Sequence, residues 1–220
     1  MKSWYPAGEQ CHIAVYDDAL SLEACNRLVK FATDNATKVL RPGKTVGGVI
    51  PMVKQSFDLP LTGDALNERF GEFPDYLHNA EIIISKNLEL CISLYEQKYQ
   101  EVHHPYGWTD SGFNFQAYYK GKGYYRRHVD GDPVNESTRI LAVIIYLNTV
   151  EEGGGTEFPL HNVTVEAKAG RVCIFPATWT HPHIGTMPIS NDKFIISTFL
   201  KTGVEEHDHQ PEADHHHHLP

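Results

Sequence analysis

The stretch "ILAVIIYL", residues 140–147, is eight consecutive apolar residues, four of them β-branched. A surface strand would alternate polar and apolar positions, and a buried helix would run longer. Such a run is a strand covered on both faces. It is also too short to span a bilayer. The chain must therefore supply an apolar layer on each side of this segment.

The flanking sequence supplies short strands. "FNFQAYYK", "GYYRRHVD", "GGGTEFPL", "VTVEA", "GRVCIFPA" and "KFIISTFL" lie on either side of the run and are bounded by Gly, Pro, Asn or Asp. Many short strands with turn signals point to a sandwich, jelly roll or barrel after about residue 112. The first half reads differently. Ser21 is an N-cap candidate, with Leu22, Cys25, Leu28, Val29 and Ala32 on one helical face. Leu77, Ile84, Leu88, Cys91, Leu94 and Tyr95 predict a long helix over residues 74–99. Between the two, "ATKVLRPGKTVGGVIPMVKQ" lacks helical periodicity and reads as a long loop or loose hairpin. The layout is α+β, with helices first and a β core second.

At 220 residues the chain is long enough for one domain with a core of its own. It carries 19 Lys+Arg against 28 Asp+Glu, a net charge of −9, which argues against a nucleic-acid partner. Cys11, Cys25, Cys91 and Cys173 form no CxxC, as expected of reduced thiols in a cytoplasmic protein. The N-terminus has no apolar run of signal-peptide length, so no membrane partner is expected. Residues 203–220 are charged and His-rich and read as a disordered tail.

Chemistry concentrates in "YYRRHVDGDP", residues 124–133. Side chains alternate along a strand, so His128 and Asp130 can share a face. Two histidines and a carboxylate with open positions opposite describe a non-haem Fe(II) site. The missing ligand must come from a later strand. "ATWTHPHIGTMP" offers His181 and His183, which have the same parity, so alternation alone cannot choose between them. Lys193 opens the apolar strand "KFIISTFL", and a lysine facing a core needs an anion.

These motifs together resemble the catalytic core of the 2-oxoglutarate- and Fe(II)-dependent dioxygenases of prolyl 4-hydroxylase type. The resemblance rests on "YYKGKGYYRRHVD", "TRILAVIIYLNTVEEGGGTEFP", "AGRVCIFPATWTHPHIG" and "NDKFIISTF", covering about residues 113–200. It implies a double-stranded β-helix (jelly-roll) core over 113–202, with N-terminal helices packed against it from a support region, residues 1–112. It implies Fe(II), 2-oxoglutarate and O2, with ascorbate as a further reductant. In collagen-type members the basic residue that grips 2-oxoglutarate lies ten positions after the distal histidine, which selects His183 over His181 and makes Lys193 that residue. His128, Asp130 and His183 are then the metal ligands, and Tyr119, Thr156 and Lys193 the cosubstrate residues. Tyr125 and Arg139 match substrate-contacting positions. Phe199 stands where the family often has tryptophan, and Trp179 is the residue expected to replace its bulk. Residues 34–56 and 100–112 have no counterpart to the family's peptide-binding loops. The expected reaction is hydroxylation of a prolyl residue in a peptide or protein, with release of succinate and CO2. The competing readings are a hydroxylase of a free amino acid or small metabolite, and a non-catalytic, metal-binding, cupin-like module.

Overall fold

The computed structural model describes residues 1–62, 75–131 and 138–202; the expected tail at 203–220 lies outside them. Strand β1 (Lys2–Trp4) and β2 (Ala14–Asp17) precede helix α1 (Leu22–Asp34). Ser21 caps α1 as expected, its Oγ accepting from Ala24 N at 3.2 Å. Cys25, Leu28, Phe31 and Ala32 form the buried face. Leu22, expected on it, is the first residue of the helix and is exposed.

The segment read as a loop or hairpin holds a single helical turn, α2 (Ala36–Val39), and two short strands, β3 (Arg41–Pro42) and β4 (Lys54–Gln55). A tight turn closes Thr45 against Gly48, with Gly48 at φ +96°, a conformation that favours glycine. Then follow β5 (Phe57–Pro60) and α3 (Asp75–Lys98), close to the 74–99 expected. Ile84, Leu88, Cys91 and Tyr95 form the buried stripe of α3, at spacings of four, three and four. Tyr95 Oη donates to His12 O at 2.8 Å, fastening the helix to the segment before β2.

The remaining strands are β6 (Trp108–Asp110), β7 (Asn114–Tyr118), β8 (Tyr124–His128), β9 (Leu141–Tyr146), β10 (Thr156–Phe158), β11 (Val163–Val165), β12 (Val172–Pro176), β13 (His183–Gly185) and β14 (Lys193–Thr202). Among the described residues they form two antiparallel sheets. The major sheet runs β1-β2-β12-β9-β14-β7-β5-β3, with β6 also paired to β14; the minor sheet runs β11-β10-β13-β8-β4. This is the double-stranded β-helix.

The opening run becomes β9, in the interior of the major sheet between β12 and β14. All six of its residues are buried. Leu141, Val143 and Ile145 face the helix-side core with Leu88 and Leu28. Ala142, Ile144 and Tyr146 face the intersheet core with Phe158 and Phe175. Strands from before residue 113 extend the same sheet, so the N-terminal region contributes β1, β2, β3, β5 and β6 to it as well as supplying the helices.

Leu141→Ala should lower stability by about 2–5 kcal/mol, because a fully buried side chain leaves a cavity. Leu160→Ala, at an exposed turn position, should change it by under about 0.5 kcal/mol. Urea midpoints test this, and equal losses would contradict the two-sided burial of β9.

Candidate active site

His128 ends β8, Asp130 follows two residues on, and His183 opens β13. The two strands pair so that His183 faces His128 and Gly185 faces Tyr125. Two residues on β13 thus span three on β8, which defines a bulge at Arg126 and Arg127. Without it, Tyr125 and His128, three apart, would point to opposite faces. With it, both face the intersheet cavity, and the Tyr125 ring stacks on His128 at 3.4 Å and 15°. The exposed Arg126 and Arg127 carry the phase shift.

One donor atom from each of His128, Asp130 and His183 lies within 4.8 Å of the other two. Both histidines present Nε2 to Asp130, at 3.4 Å from Oδ1 and from Oδ2 respectively. Their Nδ1 atoms donate to carbonyl oxygens, Arg126 O at 2.7 Å and His181 O at 3.2 Å. Those bonds leave Nε2 as the free lone pair, the arrangement that orients a metal-binding imidazole. Burial pushes His183 down to about 4, which the facing Asp130 only partly offsets, so the ring is neutral near pH 7. For Asp130, burial acts upward, but His183, His128 and Arg139 outweigh it and hold the carboxyl below its usual range. Two imidazoles, that of His183 neutral, and an ionised carboxylate are a donor set suited to Fe(II).

His181 sits elsewhere. Its Nε2 donates to Cys11 O at 2.7 Å and its ring stacks on His161 at 4.5 Å. Strand alternation starts only at His183, where β13 begins, so equal parity did not mean equal direction.

An inner cavity of about 60 Å³ runs from the three donors to Thr156 and Lys193. The donors belong to the minor-sheet side, whereas Lys193 opens β14 of the major sheet. On β14, Lys193, Ile195, Ser197 and Phe199 face this cavity, while Phe194, Ile196 and Leu200 face the helices. Lys193 is 2% exposed, and its Nζ lies 5.3 Å from the Tyr118 ring and 5.7 Å from that of Tyr146. Burial pushes its ammonium down to about 7. Among the described residues no carboxylate pairs with it. A buried cation in this position fits a carboxylate ligand. Thr156, beside it, shares a 2.7 Å hydrogen bond with Tyr146 Oη.

Tyr119, expected to meet the cosubstrate, lies outside the cavity, its ring 5.4 Å from Phe57. Its neighbour Tyr118 lines the cavity instead, and Tyr118 Oη donates to Gln116 Oε1 at 2.7 Å. Strand β7 ends at Tyr118 and the chain turns at 119, where Tyr119 O accepts from Gly123 N. The resemblance that named Tyr119 does not follow that turn, and the residue before it is the one that faces the cavity. Tyr146 was also missed; its only sequence signal is that it is the sole polar tip in the apolar run.

An outer cavity of about 480 Å³ adjoins the inner one, and Tyr125, Asp130 and Phe199 line both. Arg139 lines the outer cavity, donates to Asp130 O at 3.1 Å and lies over the Phe199 ring at 3.8 Å. Trp179 lines neither cavity and is 74% exposed. It therefore does not stand in for the bulk that Phe199 lacks.

Residues 113–201 match the family model described as the 2OG-Fe(II) oxygenase superfamily. This segment, which holds every residue of the inner cavity, is similar to the 2-oxoglutarate- and Fe(II)-dependent dioxygenases. No curated protein matches the sequence. Many solved structures share the fold, among them three prolyl hydroxylases. A viral collagen prolyl hydroxylase from Paramecium bursaria Chlorella virus-1, solved as its 2-oxoglutarate complex, is 20% identical with TM-score 0.62, covering 87% of this chain and 96% of that one. A Trichoplax adhaerens prolyl hydroxylase, in complex with a hypoxia-inducible-factor oxygen-degradation-domain peptide, is 18% identical with TM-score 0.66, covering 87% and 84%. A Pseudomonas putida prolyl-4-hydroxylase is 18% identical with TM-score 0.56, covering 86% and 92%.

His183→Ala should abolish Co(II) binding, whereas His181→Ala should keep most of it; calorimetry decides, and loss only in the second variant would reverse the ligand choice. The affinity for 2-oxoglutarate should also depend on pH. Free Lys193 loses its proton as pH rises through about 7, and a dicarboxylate needs the ammonium form. Binding should weaken above pH 7, by up to about tenfold per unit. A dissociation constant unchanged from pH 7 to 9 would contradict the role of Lys193.

Proposed function

We propose that this chain uses Fe(II), 2-oxoglutarate and O2 to hydroxylate a prolyl residue in a peptide or protein. The reading rests on one observation above the others. A buried lysine with no carboxylate partner among the described residues closes the far end of the cavity that begins at His128, Asp130 and His183. A plain metal-binding module has no use for such a cation.

In this reading His128, Asp130 and His183 hold the iron. Lys193 and Thr156 take the distal carboxylate of 2-oxoglutarate through charge-assisted hydrogen bonds, strengthened by burial. Tyr118 and Tyr146 wall that end and keep water from the ammonium. When bound, iron with 2-oxoglutarate and O2 supplies the oxidising chemistry that places a hydroxyl on a C–H bond and leaves succinate and CO2. The protein's part is position and exclusion. Tyr125 stacks on His128 and fixes its plane. Arg139 holds the Asp130 carbonyl and braces Phe199, so these two side chains set the boundary between the inner and outer cavities.

The outer cavity, about 480 Å³, supports a peptide segment over a free amino acid. The peptide bound to the Trichoplax enzyme supports the same choice by analogy. A cytoplasmic setting is supported by four unpaired cysteines. No helix among the described residues is long and apolar enough to cross a membrane. Ascorbate is proposed only as a stimulating reductant.

Anaerobic addition of Fe(II) and 2-oxoglutarate should give a visible charge-transfer band that Lys193→Ala weakens. Aerobic succinate release should rise with prolyl peptides above the level with free proline or other amino acids. A band without any prolyl stimulation would remove the substrate assignment and leave the oxygenase chemistry in place.

A further inference from the structure

The segment between β3 and β4 forms the lip of the outer cavity, and its surface chemistry is unusual for this chain. Val46, Val49, Ile50 and Met52 are all exposed, Val46 to 62% and Met52 to 73%. Four large apolar side chains facing water within seven residues mark an interaction surface. The lip is fastened to the strand that carries His128. Val53 O accepts from Arg126 N at 2.9 Å, and Pro51 O accepts from Tyr124 Oη at 2.8 Å. Lys54 pairs in register with Tyr125. Anything docked on the lip is thereby placed relative to the metal donors.

Charge runs against the rest of the molecule. The chain is −9 overall, yet the outer cavity is lined by Lys44, Lys54 and Arg139 against a single carboxylate, Asp130. Asp130 is engaged by the two histidines. Lys54 is matched by buried Asp58 at 2.9 Å. Lys44 is exposed, as are Arg126 and Arg127 on the bulge beside the lip. Among the described residues none of these three has a carboxylate partner. Asp110, the nearby acid on β6, lines a separate groove against α3.

We propose that the lip, residues 44–53, docks an extended acidic segment of the protein substrate. Its carboxylates meet Lys44 and the Arg126–Arg127 bulge, and an apolar side chain covers the Val46–Met52 ridge. The proposal rests on the prolyl-peptide reading above and names the substrate class within it. An acidic ligand is repelled by the chain as a whole, so its attraction comes from this local patch and is strongest at low salt.

The test uses three labelled proline-containing peptides of equal length, flanked by Asp/Glu and Leu, by Ser and Leu, or by Lys and Leu. Their binding to the full chain with Mn(II) and 2-oxoglutarate is read by fluorescence anisotropy. The acidic peptide should bind about tenfold or more tighter than the basic one, with the gap closing as salt rises. Lys44→Glu should remove that preference and Lys44→Arg restore it. Met52→Ser should weaken all three peptides alike. Equal binding of the three peptides, a preference that survives Lys44→Glu, or tighter binding of a single-stranded oligonucleotide would overturn the proposal. Tight acidic-peptide binding without succinate release from any prolyl peptide would sustain the docking surface and remove the prolyl-hydroxylation reading instead.

Discussion

Much of this structure depends on burying β9 from both sides. One face of the strand builds the core under α1 and α3; the other builds the intersheet core with Phe158 and Phe175. The intersheet packing sets the distance between the sheets, and with it the distance between the metal donors and Lys193. Neither group could be moved alone. Donors at the end of β8 and the start of β13 face a cation carried by β14 across the inner cavity, whose apolar walls include Ala142, Ile144 and Ile195.

Burial in that cavity explains the electrostatics. Desolvation keeps His183 neutral and drives Lys193 toward losing its proton. The first effect readies a nitrogen lone pair. The second leaves a cation poorly tolerated until an anion arrives, so the cavity is adapted to a ligand with a carboxylate at the lysine end. Burial that would be a defect in an ordinary core becomes selectivity here.

Much of the candidate site was legible where alternation held. His128 ends β8 and Asp130 lies at the bend just past it, where the two side chains still meet, and the strands from "FNFQAYYK" onward appear where turn residues bound them. Legibility failed at strand ends. His181 lies two residues before β13 and Tyr119 one residue after β7; alternation could not separate His181 from His183, and the family resemblance that picked Tyr119 does not follow the turn there. Residues 2–4, 41–42 and 57–60 were unreadable as strands for another reason: two to four residues show no periodicity, and their place in the major sheet is fixed by partners distant in sequence. The outer lip was visible as a Gly- and Lys-rich segment but not as a surface, since nothing local says which of its apolar residues face water.

The bulge at Arg126–Arg127 has a consequence for how such a chain can vary. It absorbs the phase difference between the part of β8 that faces the lip and the part that bears the donors. Side chains before it can be exchanged as substrates change, while the donor pair after it stays in phase with β13. Recognition and reactivity lie on one strand, yet the extra residue lets them evolve as separate modules.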